Sequence, residues 1–121
     1  MSHPVEHSDG LAKLQDRVHD DLMSLCLPAK PWLPQQSFAG QPLHDVMVVG
    51  AGMSGMALSA ALTHLGIGVH LIDRAPAGFE GPWATTARME TLRSPKELTG
   101  PALGIPSLTF RSWYVAQFGI E

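Results

Sequence analysis

Three glycines set between an apolar run and a helical segment constrain the fold of this chain more than any other feature. Residues 46–49 are four consecutive apolar residues, which is typical of a short strand buried on both faces. Gly50, Gly52 and Gly55 follow at once, and residues 53–65 have the small and straight-chain side chains of a helix. The pattern predicts a strand, a tight glycine turn and a helix in direct succession.

A second strand and an acidic residue complete the pattern. Gly66 is placed to end the helix, and residues 68–73 are predicted to form a strand that finishes with Asp73, 23 residues after Gly50. A Gly-x-Gly-x-x-Gly turn in this context, followed by an acid about 20 residues later, is the fingerprint of a Rossmann βαβ unit that binds the ADP half of a dinucleotide. The predicted fold class is therefore α/β, a partial Rossmann-like FAD/NAD(P)-binding unit.

Each position of the glycine turn has a physical reason in such a site. Gly50 allows the tight turn, Gly52 lets the pyrophosphate approach the main chain, and Gly55 lets the helix pack closely on the strands. Met53 and Ser54 lie in the first helical turn, where unpaired N–H groups and the helix dipole favour phosphate. We predict these five residues to contact the cofactor.

Asp73 and the place of the motif bear on the identity of the dinucleotide. The Asp73 carboxylate is expected to accept hydrogen bonds from ribose hydroxyls and to repel a 2′-phosphate, which argues against NADP at this site. FAD and NAD share the fingerprint. The position of the motif near the N-terminus, after a polar extension, favours FAD and leaves an NAD-dependent dehydrogenase fragment as the alternative.

The residues after Asp73 resemble those of flavin-containing, Baeyer–Villiger and N-hydroxylating monooxygenases. Arg74 follows the acid directly, and residues 78–83 form a Gly-rich turn with Gly81 and Trp83. In that family such a turn ends in Gly-x-Trp and lies along the flavin. The resemblance implies that Arg74, Gly81 and Trp83 contact FAD. The chain departs from the family at Glu80-Gly81-Pro82-Trp83, where two adjacent glycines and a threonine usually precede the tryptophan.

The same resemblance implies further parts of an enzyme. The family uses NADPH to reduce the flavin, and the reduced flavin then uses O₂ to oxygenate a substrate. The loop that contains Arg88 and Arg93 corresponds to one that passes beside the flavin and substrate, so either cation is a candidate partner for a phosphate or a substrate anion. A second glycine fingerprint, a third strand and a substrate domain are not found, so we expect an N-terminal portion that does not turn over alone.

The rest of the chain divides into two predicted regions. Residues 1–44 are expected to be an extension with an amphipathic helix and a Pro-rich linker at 28–44, and residues 45–121 the incomplete FAD/NAD(P)-binding domain, which ends in a helix at 110–118. The apolar face of the N-terminal helix comprises Leu11, Leu14, Val18, Leu22 and Leu25.

Composition limits the kinds of partner that this chain is expected to bind. A net charge of −3 with scattered basic residues argues against nucleic acid, and one cysteine excludes an internal disulfide. No apolar run reaches the roughly 18–20 residues of a membrane helix, and no signal peptide is recognised, so we expect a cytoplasmic protein without a metal site. The expected partners are FAD and a second polypeptide that completes the enzyme. A non-catalytic nucleotide-binding or interaction module is the remaining alternative, and no catalytic residue is identified.

Overall fold

The computed structural model describes residues 8–91, 93–95 and 97–119. Within them the elements in chain order are α1 (Ser8–Ser24), β1 (Ser37–Phe38), β2 (Gln41–Pro42), β3 (Val46–Val49), α2 (Met53–His64), β4 (Val69–Ile72), a 3₁₀ helix (Pro106–Leu108) and α3 (Phe110–Phe118). Residues 27–91 form one compact unit, and α1 with the described residues after position 92 forms another.

The unit of residues 27–91 is built on the predicted strand–helix–strand. β3 and β4 are parallel neighbours, paired in register from Val46 opposite Val69 to Val49 opposite Ile72. α2 connects them and packs on one face of the pair. The predicted α/β fold class, a partial Rossmann-like unit, is confirmed, and the predicted element bounds differ from the observed ones by at most one residue at an end.

The second face of the β3–β4 sheet is open within this unit. Val48 points toward α2 and is buried, whereas Met47 and Val49 are 56% and 79% exposed. The sequence predicts burial on both faces, because a continuous apolar run is typical of a parallel sheet with a layer on each side. Among residues 27–91, α2 is the helix that packs on the sheet, so this unit supplies one of the two layers.

The segment before β3 caps the C-terminal end of α2. The main-chain N–H of Ala29 donates to the carbonyl of His64 at 2.9 Å, and the indole Nε1–H of Trp32 donates to the carbonyl of Leu65 at 2.8 Å. Carbonyls in the last turn of a helix lack partners inside the helix, so these bonds stabilise its end. The predicted linker thus has specific contacts, and it also contains the antiparallel β1–β2 hairpin. The predicted domain boundary at residues 44 and 45 stays a prediction.

The other unit has a small core between α1, the 3₁₀ helix and α3. Leu14 of α1 is buried, as the helical periodicity predicts, and Ile105 is 1% exposed. Ser107 is equally buried, and its hydroxyl donates to the Asp21 carboxylate at 2.5 Å. The helix predicted at 110–118 is observed, and Thr109 caps it, since its side chain accepts the N–H of Ser112.

Gly10 lets α1 approach α3 closely. A Cβ atom at Gly10 would lie 1.8 Å from the carbonyl oxygen of Ala116, which is main chain and has no rotamer to change. We therefore predict that Gly10→Ala lowers the free energy of unfolding by about 1–3 kcal/mol, the usual cost of overpacking. Helix propensity alone predicts the opposite sign, a gain of about 1 kcal/mol.

Urea unfolding followed by circular dichroism checks this prediction on the whole chain. Gln15→Ala, at an exposed position of the same helix, is the matched control and should leave the midpoint nearly unchanged. A stabilised Gly10→Ala chain would show that the close approach of the two helices is absent in solution.

Candidate dinucleotide site

The glycine turn begins at the end of β3, and the backbone conformation of its first residue requires glycine. Gly50 has φ +107°, in the region that residues with a side chain rarely adopt, and its N–H donates to the carbonyl of Ile72 at 2.7 Å. Gly55 needs glycine for a different reason, because a Cβ there would lie 1.7 Å from the carbonyl oxygen of Gly50. The first turn of α2 therefore packs directly on the turn that precedes it.

The N-terminus of α2 is open to an external acceptor. Its N-cap is Gly52, which has no side chain to accept the N–H groups of the first turn. That turn contains no acidic residue, and Met53 and Ser54 are exposed. Unpaired N–H groups and the positive end of the helix dipole make such an end suitable for a phosphate group.

Gly81 lies against the glycine turn. A Cβ at Gly81 would lie 3.4 Å from the Cα of Gly52, and a Cβ at Gly52 would lie 3.5 Å from the Cα of Gly81. Two main-chain segments without side chains thus face each other. The turn beyond Gly81 is held by hydrogen bonds, since the carbonyl of Pro82 accepts three consecutive main-chain N–H groups and the Thr85 hydroxyl donates to the carbonyl of Gly81.

Asp73 is bonded to the main chain through both carboxylate oxygens. Oδ2 accepts the N–H of Ala51 at 2.7 Å, and Oδ1 accepts the N–H of Ala75 at 2.7 Å. The N–H of Ala51, then that of Ala75 and the nearby Arg74 charge hold the pKa of Asp73 below its ordinary value, against a smaller opposing effect of desolvation. The carboxylate is therefore charged at neutral pH and connects the glycine turn to the end of β4.

The remaining predicted residues are exposed. Arg74 lies beside Asp73, and Trp83 is 53% exposed on the turn after Gly81. Arg88 and Arg93 are also exposed, and within the described residues no hydrogen bond or ion pair is found for either. The structure brings together the glycine turn, Asp73 and Gly81.

Sequence reasoning missed Ala51 and Ala75 as parts of the site. The bond from Ala75 had a local signal, because an aspartate often accepts the N–H two residues later in an Asx turn. The bond from Ala51 had none, because it depends on the register that sets the end of β3 beside the end of β4.

Among the described residues, no helix has the length and apolar character needed to span a membrane. The same residues contain no cluster of three or more His, Cys, Asp or Glu side chains that could hold a metal ion.

Comparison with known proteins identifies the cofactor. Residues 44–98 match the family model of the FAD binding domain. The FAD-dependent urate hydroxylase of Xanthomonas campestris pv. campestris is 44% identical over 110 residues, which cover 90% of this chain and 23% of that relative. No solved structure matches the chain significantly. The matches confirm FAD as the predicted cofactor, and the chain spans about a quarter of the relative's length.

The lowered pKa of Asp73 predicts how stability depends on pH. A carboxyl group whose pKa is lower in the folded chain stabilises the fold above its ordinary pKa, and this contribution is lost as the pH falls through the folded pKa. Asp73→Asn should therefore lower the free energy of unfolding at neutral pH. The difference from wild type should shrink as the pH falls below the ordinary value of 3.8.

Urea unfolding of both proteins across this pH range measures the difference. The decrease is expected because protonation removes from wild type the charge that the variant already lacks. A difference that stays constant from neutral pH to well below 3.8 would show that the charge of Asp73 does not contribute to stability.

Proposed function

We propose that this chain, whose sequence is that of an N-terminal FAD-binding part of a flavin-dependent monooxygenase, holds the ADP half of FAD on the turn between β3 and α2. The pyrophosphate lies against Gly50, Gly52 and the first turn of α2, where Met53 and Ser54 present main-chain N–H groups. Asp73 accepts hydrogen bonds from the ribose hydroxyls of the adenosine. Exposed N–H groups and an acceptor-only side chain match these two parts of the ligand.

The observation that carries this proposal is that the fold accounts for two of the three glycines and not for Gly52. Gly50 is needed for its positive φ, and Gly55 for close packing. Gly52 has φ −71°, which any residue adopts, and a Cβ there would meet Gly81 at the ordinary contact distance of 3.5 Å. A ligand that approaches the main chain at Gly52 supplies the reason that the fold does not.

The turn after β4 forms the second wall of the proposed site. Gly81 faces Gly52 without a Cβ atom between them, so a ligand on the glycine turn also meets the main chain of Gly81. We place Trp83 beside the same ligand, and Arg74 is the nearby cation for a phosphate oxygen. Both side chains are exposed, so they are available for contact.

The activity of the whole protein is proposed from the relative. That relative is a urate hydroxylase, and we propose an FAD-dependent, NADPH-using monooxygenase of the cytoplasm that acts on a urate-like planar heterocycle. Bound flavin supplies the redox chemistry, while the residues described here bind and orient its ADP half. None of them is assigned a catalytic role.

Two observations bear on whether these 121 residues turn over alone. The chain corresponds to 23% of the relative, and the open sheet face with Met47 and Val49 fits a fold with a further layer. We therefore propose that the chain binds FAD without turnover, and that the rest of the enzyme or a second polypeptide completes the active site.

Gly52→Ala is expected to weaken FAD binding while the chain stays folded. Because a Cβ at Gly52 would make only an ordinary contact with Gly81, the variant should stay folded and lose no more than about 1 kcal/mol, the N-cap preference of glycine over alanine. Its methyl group occupies the space through which the pyrophosphate reaches the main chain, so its affinity for FAD should fall more than about tenfold.

Titration of the purified chain with FAD, followed by flavin fluorescence and calorimetry, tests this expectation. Gly55→Ala is the matched control, since its Cβ would lie 1.7 Å from the Gly50 carbonyl oxygen and should destabilise the fold itself. If folded Gly52→Ala binds FAD as tightly as wild type, the proposed position of the pyrophosphate is wrong.

A further inference from the structure

Two adjacent hydrogen bonds join the glycine turn to the end of β4. The N–H of Gly50 donates to the carbonyl of Ile72, and the N–H of Ala51 donates to Oδ2 of Asp73, each at 2.7 Å. The first bond continues the main-chain ladder of the parallel pair and is available to any residue at position 72. The second depends on the side chain at position 73, because the ladder ends at the pair of Val49 and Ile72.

The second carboxylate oxygen fixes the direction of this side chain. Oδ1 of Asp73 accepts the N–H of Ala75 at 2.7 Å, so the carboxylate is bonded on one side to the glycine turn and on the other to its own turn. A carboxylate offers about four acceptor positions, and these bonds use two of them. Acceptor positions thus remain for ribose hydroxyls while the glycine turn is held.

We propose that Asp73 is a positioning residue for the pyrophosphate-binding glycine turn, in addition to its role at the ribose. Its carboxylate holds the peptide of Ala51 and thereby sets the direction in which Gly52 and the first turn of α2 present their N–H groups. This inference rests on the proposed function for its ligand, whereas the hydrogen bonds that carry it lie within the chain itself.

Position 73 requires an acceptor on both sides. Both of its partners are N–H donors, and an asparagine side chain offers one acceptor oxygen and one donor NH₂ group. Asp73→Asn therefore loses one of the two bonds and places a donor against a donor. Arg74 is the charged neighbour that acts on this carboxylate, and the glycine turn and first turn of α2, residues 50–55, contain no titratable side chain.

The first test uses the ligand-free chain and NMR. The amide protons of Ala51 and Ala75 should shift together as the pH falls, with one common midpoint, because one carboxylate accepts both. In Asp73→Asn both shifts should disappear, while amides in the middle of α2 keep their positions and show that the fold is retained. Asp45→Asn is the matched control, since Oδ2 of Asp45 accepts the N–H of Gly68. It should leave Ala51 and Ala75 unchanged.

The second test separates positioning from ribose binding with ADP and 2′,3′-dideoxy-ADP, measured by calorimetry. The dideoxy ligand has no ribose hydroxyls for Asp73 to bind. If Asp73 positions the glycine turn, Asp73→Asn weakens the dideoxy ligand as well, by about tenfold. If Asp73 acts at the ribose alone, the variant binds that ligand as tightly as wild type or more tightly, because a negative charge near the diphosphate has been removed.

The two tests fail independently. Equal or tighter binding of the dideoxy ligand by Asp73→Asn, or amide protons of Ala51 and Ala75 without a common titration, overturns the positioning role. A wild-type chain that binds neither nucleotide overturns the proposed function instead, and the amide titration then decides alone whether Asp73 holds the glycine turn.

Discussion

The close packing of α2 on the glycine turn determines the geometry of the site. Because Gly55 has no side chain, the first turn of the helix lies directly against the carbonyl of Gly50, where a Cβ would be 1.7 Å from the oxygen. Strand, turn and helix are thereby held in one arrangement. The parallel register of β3 and β4 then places the carbonyl of Ile72 beside the N–H of Gly50 and, one residue later, Asp73 beside Ala51. The position of the acid thus follows from the strand pairing.

The same unit shows that a continuous apolar strand is covered on one face and open on the other. Val48 is buried beneath α2, while Val49 on the opposite face is 79% exposed. An aliphatic side chain gains about 25 cal/mol for each Å² of apolar surface removed from water, and Val49 does not gain it here. The four-residue run at 46–49 therefore has the composition of a strand with a layer on each face.

Local sequence patterns predicted the secondary-structure elements but not the longer-range contacts. The glycine spacing and the apolar runs predict β3, α2 and β4 to within one residue at each end, because their determinants lie inside each segment. The bond from Trp32 to the carbonyl of Leu65 spans 33 residues, and no local signal distinguishes it from a free linker. The exposure of Val49 was not predicted either. The apolar run indicates the environment that suits this strand, not the environment that the strand has in this chain.

Gly52 and Asp73 show opposite relations between fold and ligand. The fold makes no demand for glycine at position 52, whereas it uses both carboxylate oxygens of Asp73 in hydrogen bonds to the main chain. A turn whose geometry is already set by hydrogen bonds loses little conformational entropy when a ligand binds, and more of the interaction energy then appears as affinity. In the proposed site, the residue that meets the pyrophosphate can therefore be as simple as glycine, because the neighbouring aspartate and the helix have fixed its main chain in advance.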